Sequence, residues 1–128
     1  MTKTVLVLIA RLIFAGVFAI AAWFKFTGME ATAGYIASVG FPMPMALAWL
    51  AALFETALVL AFLTGAFFSE AALHAAIYVL FLAFAFHWPP HNLMEFGLFV
   101  DHFTFIAGLL FAAVHGPGRT LVLRQRAA

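Results

Sequence analysis

Apolar and polar positions along this chain fall into long blocks rather than short alternations. Four runs reach the ~20 mostly apolar residues that a helix needs to cross a bilayer: Thr4–Phe24, Pro44–Leu63, Phe67–Trp88 and Phe96–Val114. None shows the period-two alternation of a strand, and a helix satisfies its own backbone where no water is present. The third run starts on polar Ser69 and Glu70 and stops at Pro89-Pro90, which makes it the shortest span. The fourth stops at Gly116-Pro117-Gly118, a helix-ending combination. The pattern predicts an all-α fold: a four-transmembrane-helix bundle forming a single domain over residues 1–128.

Composition fixes the solvent. The chain is 67% hydrophobic and 17% aromatic, and only 9% of it is charged, against ~25% in soluble domains. So few polar residues cannot cover a water-surrounded fold, and lipid is the expected neighbour. A net charge of +1 gives no reason to expect a nucleic-acid partner. Cysteine is absent, which excludes thiol chemistry, disulfides and thiolate metal ligands within the chain. A redox role would therefore need a bound cofactor or a partner subunit.

Lys3 precedes the first span, and Arg119, Arg124 and Arg126 follow the fourth, whereas the first loop carries only Lys25 and the turn TGAFFSE carries no Lys or Arg. By the positive-inside rule both termini face the cytoplasm. Lys3 and the Ala19-Ile20-Ala21 sequence imitate a signal peptide, but the apolar run is too long and holds Arg11, so the segment is expected to remain as a span.

The first loop, KFTGMEATAGYIASVGFPM, is too long for a simple turn. Thr32 is placed to cap a short helix through Ser38, with Ala33, Tyr35, Ile36 and Val39 near one side and Gly40 ending it. An interfacial helix on the outer membrane surface is the natural reading. It acts either as a lid over the space between the spans or, more simply, as a packed surface element.

Charge within a span costs several kcal/mol unless it is paired or faces a wet interior. Counted from the cytoplasmic ends of their helices, Arg11 and Glu55 sit at matching depths of roughly 10 and 12 Å, which suggests a buried ion pair. Glu70, His74 and Tyr78 form an i, i+4, i+8 stripe on the third span and would complete an inner polar cluster. The cluster is a structural clasp or a proton route; the clasp is favoured because an arginine does not deprotonate.

A second polar set gathers at the outer ends. Lys25 follows Arg11 by fourteen residues and so lies within ~40° of the same helical face. His87, Trp88 and His91 end the third span, and Asp101-His102 lie one to two turns into the fourth. Small Gly108 and Ala112 share the Asp101 side, so Asp101 is expected to face inward and meet Lys25, with His102 or His87 extending the contact. His87 and His91 have the i, i+4 spacing of helical metal ligands, but Pro89-Pro90 breaks the helix between them, so no metal site is assigned. Only His74 lies deep in a span, which leaves haem without a second axial histidine.

Together the residues form a recognisable order: ARLIFAGVF in the first span, WFKFTG at its end, a TAGYIASVGFPMP loop, LAALFETALVLAFLTG in the second span, and a closing GPGR. Over nearly its whole length the chain resembles the DoxX family of small four-helix bacterial membrane proteins. Arg11, Lys25, Glu55 and Gly65 match that pattern, and the histidine-rich HWPPHNLMEF loop departs from it. The resemblance implies four spans in the bacterial cytoplasmic membrane. It also implies coupling to quinone-linked, respiratory-chain redox systems, as in subunits of quinol or thiosulfate:quinone oxidoreductases and in membrane partners of thiol-oxidant defence enzymes. Two functions stay open. One is a non-catalytic or quinone-proximal accessory subunit of a larger membrane redox complex, with Trp23, Lys25, Tyr35, His87, Trp88, Asp101 and His102 as the candidate quinone or lipid site. The other is a structural or lipid-binding membrane partner with no redox role.

Overall fold

A computed structural model describes residues 2–123; Arg124 and Arg126, two of the charges used to orient the chain, lie outside the described residues. Five helices follow one another: α1 (Lys3–Thr27), α2 (Met29–Ser38), α3 (Pro44–Thr64), α4 (Phe68–His87) and α5 (Leu93–His115). Each predicted run coincides with one of the four long helices, and all four are long and apolar enough to cross a membrane. The helices divide into two compact units. The first holds α1, α2, α3 and the segment from Gly118 onward; the second holds α4 and α5, from Phe67 to Pro117.

In the first unit α1 packs along α3. The buried positions of α1 are Arg11, Ala15, Phe18 and Ala22, a stripe spaced i, i+4, i+7, i+11. Those of α3 are Ala48, Ala52, Glu55, Leu58 and Phe62. Without a hydrophobic force between helices in lipid, close approach of backbones supplies the packing energy, and the four alanines permit it. Phe62 fills the far end, stacked on Phe18 with centroids 5.8 Å apart and tilted against Phe14 at 5.5 Å. At the other end Phe26 meets Trp49 edge-on at 5.9 Å, so the helices run antiparallel.

These contacts also fix the register. Arg11 stands level with the last turn of α3, and Glu55 stands level with the end of α1 that carries Lys25. The first two turns of α1 therefore run past the end of α3. The segment after Gly118 occupies that stretch: a Cβ on Gly118 would sit 3.1 Å from Val7 Cγ1, and the Leu123 N–H donates to Thr64 O at 2.8 Å. Gly118 holds φ +77, which an L side chain adopts at a cost of about 1–2 kcal/mol. Gly118→Ala should lower the melting temperature in detergent. Gly16→Ala, with open space around its Cβ and a helical backbone, should leave it level or raise it; the two melting curves check this.

A short helix, α2, forms in the first loop, and it begins four residues earlier than a Thr32 cap would place it. Gly28 precedes its first turn, and Thr32 lies inside the helix, where its hydroxyl donates to Gly28 O at 3.1 Å instead of capping. Ala33 and Ile36 face the packing side, and α2 contacts α3 more than α1. Tyr35 and Val39, placed on that side from the sequence, are exposed because they lie a third of a turn off it.

In the second unit α4 packs against α5, and the buried positions of α4 include Ala72, Ala75, Ala76, Val79 and Ala83, again mostly alanine. Asn92 caps α5: its side-chain oxygen accepts the Glu95 N–H at 2.9 Å, and the Glu95 carboxylate accepts the His91 N–H in return. The two bonds tie the first turn of α5 to Asn92 and to the residue before it, and so fix where the helix starts.

Candidate functional site

Among the described residues of the first unit Arg11 is the most enclosed cation, at 1% exposure. Its Nε–H donates to Phe62 O at 3.0 Å and its Nη2 group to Leu63 O at 2.8 Å and Leu121 O at 3.0 Å, while Nη1 donates to Thr120 O at 2.8 Å. Phe62 and Leu63 belong to the last turn of α3, whose carbonyls have no intrahelical donor. The other two carbonyls of that turn are satisfied as well, Ala61 O by the Gly65 N–H and Thr64 O by the Leu123 N–H. Gly65 reaches this position with φ +75, the left-handed cap that glycine favours. The end of α3 is thus closed by one guanidinium, one glycine and the segment that returns after Gly118, and the cation lies at the negative end of the helix dipole.

Glu55 is equally buried, and the partner the structure gives it is Lys25, with Nζ 2.8 Å from Oε1. Equal helix depth had pointed to Arg11 instead. The difference is the stagger: depth counted from each helix end matches residues correctly only when the ends are level. Here Arg11 bonds to carbonyls seven residues beyond Glu55, which is ~10 Å along α3. Lys25 continues the buried stripe of α1 one step past Ala22, so its side chain reaches α3 while keeping partial exposure. Trp23 and Tyr35, grouped with Lys25 from the sequence, are exposed on α1 and α2.

The second unit carries the remaining predicted residues. Glu70 and His74 are exposed and Tyr78 is half-buried on α4; the Nδ1–H of His74 donates to the main-chain Glu70 O at 2.7 Å. On α5 one stripe of half-buried positions runs through Glu95, Phe99, His102 and Ile106 to the buried Leu109, while Gly97, Gly108 and Ala112 are half-buried on the Asp101 side. His102 is on that stripe. Asp101, one residue and ~100° away, is exposed, and among the described residues it makes no ion pair or hydrogen bond. The inward member of the Asp-His pair is the histidine, the reverse of the expectation from Gly108 and Ala112.

Where α4 ends and α5 begins, the rings of His87 and His102 lie 4.8 Å apart at 55°. Beside them is an aromatic set: Trp88 to Phe99 at 5.0 Å, Phe99 to Phe103 at 5.0 Å and Phe84 to Phe99 at 5.3 Å. α4 stops at His87, ahead of Pro89-Pro90, as the sequence indicated. His91 bonds to Glu95, Nδ1 to Oε2 at 2.8 Å, and so anchors the loop. Among the described residues, no three or more His, Cys, Asp or Glu side chains converge as metal ligands.

Two features escaped the sequence: the carbonyl shell of Arg11 and the return of the chain after Gly118. The shell involves main-chain atoms, which leave no pattern of residue types. The return had a signal in the Gly116-Pro117-Gly118 turn, where both glycines hold positive φ.

Comparison with known proteins agrees with the motif reading. The family model described as DoxX matches residues 6–88, which spans α1 to the end of α4. The Escherichia coli K12 protein named inner membrane protein YqjF is 34% identical over 115 residues, covering 88% of this chain and 85% of that protein. No solved structure matches. The likeness to YqjF extends past the span that the family model covers, and with four apolar helices in place the chain is a multi-pass membrane protein that belongs to the DoxX family.

Proposed function

We propose that the chain is a non-catalytic subunit that works beside a larger quinone-linked redox enzyme in the bacterial cytoplasmic membrane, with both termini on the cytoplasmic side and α2 lying in the outer interface. The observation that carries this reading is the way charge is used in the first unit. Among its described residues the two fully buried ionisable groups are engaged internally, Arg11 by carbonyls and Glu55 by Lys25, and neither stands as a free acid or base. An enzyme acting alone needs a poised acid, base, nucleophile or metal. Among the described residues of the second unit, the ring-lined end of α4 and α5 offers imidazole and indole groups to a planar ligand rather than a reacting constellation. The name of the Escherichia coli relative, an inner membrane protein, supports the location.

The exposed apolar helix faces suit lipid or protein neighbours equally; on α5 Leu109 is the one side chain that is fully buried among the described residues. A lipid-binding partner with no redox role is therefore the second reading. Extraction of native membranes in a mild detergent, followed by mass spectrometry of what co-purifies, separates the two. The expected result is one membrane protein with a flavin, haem or iron–sulfur centre, in fixed ratio to this chain. Recovery of the chain with lipid alone would overturn the redox assignment.

A further inference from the structure

The protonation pattern of His102 limits what can bind beside it. Its Nδ1 lies 2.7 Å from the main-chain oxygen of Leu98, one turn back on α5. A carbonyl oxygen can only accept, so Nδ1 carries the proton and, in the neutral ring, Nε2 presents a lone pair. Among the described residues Nε2 has no donor. The ring stands on the packed stripe of α5, half-buried, with His87 at 4.8 Å. Trp88 lies beside Phe99 in the adjoining aromatic set; its ring is exposed, and its indole N–H donates to nothing among the described residues.

The site therefore combines a fixed acceptor on His102, a donor on Trp88, the adjoining imidazole of His87 and aromatic faces. A ligand complementary to it has a planar ring to lie against Trp88 and Phe99, a hydroxyl to donate to His102 Nε2, and a second oxygen to accept from the indole. A quinone offers two carbonyl oxygens, acceptors only, and leaves Nε2 facing an acceptor. A hydroquinone offers the missing donor. This rests on the reading of a quinone-linked role and adds the redox state. We infer that the end of α4 and α5 binds the reduced, hydroxyl-bearing form of a membrane aromatic ring, with His102 Nε2 accepting its hydroxyl. His102 lies beyond residue 88, where the family match ends, so the assignment depends on this chain's own residues.

The test uses the full chain in lipid nanodiscs, with binding corrected against empty discs. The probes are a decyl-substituted hydroquinone, its dimethyl ether and the matching quinone, all under anaerobic conditions. Wild type should bind the hydroquinone about tenfold tighter than either other probe, the scale of one added hydrogen bond. His102→Phe should erase the preference, His102→Gln should keep part of it through its amide oxygen, and Trp88→Phe should weaken all three probes alike. The side-chain ¹⁵N spectrum of wild type should show a proton on Nδ1 of His102 and a shift of Nε2 on adding hydroquinone. Equal binding of the three probes to wild type, or a preference that survives His102→Phe, would overturn the inference while leaving a ring-binding site. Failure of every probe to bind would remove the quinone-linked reading together with it.

Discussion

Replacing Arg11 with leucine is expected to cause the largest loss of stability of any single change in the first unit. The guanidinium donates to four main-chain carbonyls, and leucine donates to none. A hydrogen bond from a charged donor contributes about 1.5–3 kcal/mol, and an acceptor left buried without a partner carries its own desolvation cost. These terms do not add simply, because the bonds share one cation, but a total above about 3 kcal/mol is expected, in the range reserved for broken buried networks. Arg11→Lys should fall between. Its ammonium has three donors at one point, whereas the carbonyls of Phe62, Leu63, Thr120 and Leu121 are spread around a planar fork. Truncation after Pro117 removes two of those acceptors and the Leu123 donor to Thr64 O. It should lower the melting temperature too, and by less than additively when combined with Arg11→Leu. Melting curves in one detergent check the order wild type, Lys, Leu; a leucine variant as stable as wild type would rule out the carbonyl shell.

The second large effect is asymmetric. Lys25→Met should destabilise the first unit more than Glu55→Gln does. Methionine leaves the Glu55 carboxylate, 2% exposed, without its cation, and breaking a buried pair from one side costs about 3–5 kcal/mol. Glutamine leaves Lys25, whose side chain is 22% exposed, within a turn of the end of α1 and free to turn toward the interface. The glutamine amide also retains an acceptor for it. Equal effects, or a larger effect from Glu55→Gln, would mean that burial at the two ends of the pair is not what the structure indicates.

Which parts were legible in the sequence follows from the kind of information each needed. Four spans and their ends could be read because apolar length and Gly-Pro punctuation are properties of single segments. The packed faces of α1 and α3 were legible too: Arg11 and Lys25 share a helical side, and Ala48 and Ala52 mark the side of Glu55. The partner of Glu55 was not, because pairing depends on how far two helices are offset, and no residue type encodes that offset. The inward member of Asp101-His102 was misjudged for a related reason. Small Gly108 and Ala112 are half-buried, yet Asp101 on their side is exposed and His102, on the stripe that leads to the buried Leu109, is half-buried: small neighbours do not fix which polar side chain is enclosed. The shell around Arg11 was invisible because its partners are main-chain oxygens supplied by a helix end and by a segment read only as a helix stop.

Lys25 and Glu55 offer the sharpest single measurement, a double-mutant cycle by reversible unfolding with Lys25→Met, Glu55→Gln and the pair combined. Internal engagement of span charges requires a coupling of about 1–3 kcal/mol, with the double variant more stable than Lys25→Met alone. Additive losses, with no coupling between the two positions, would show that these charges do not hold each other in the membrane.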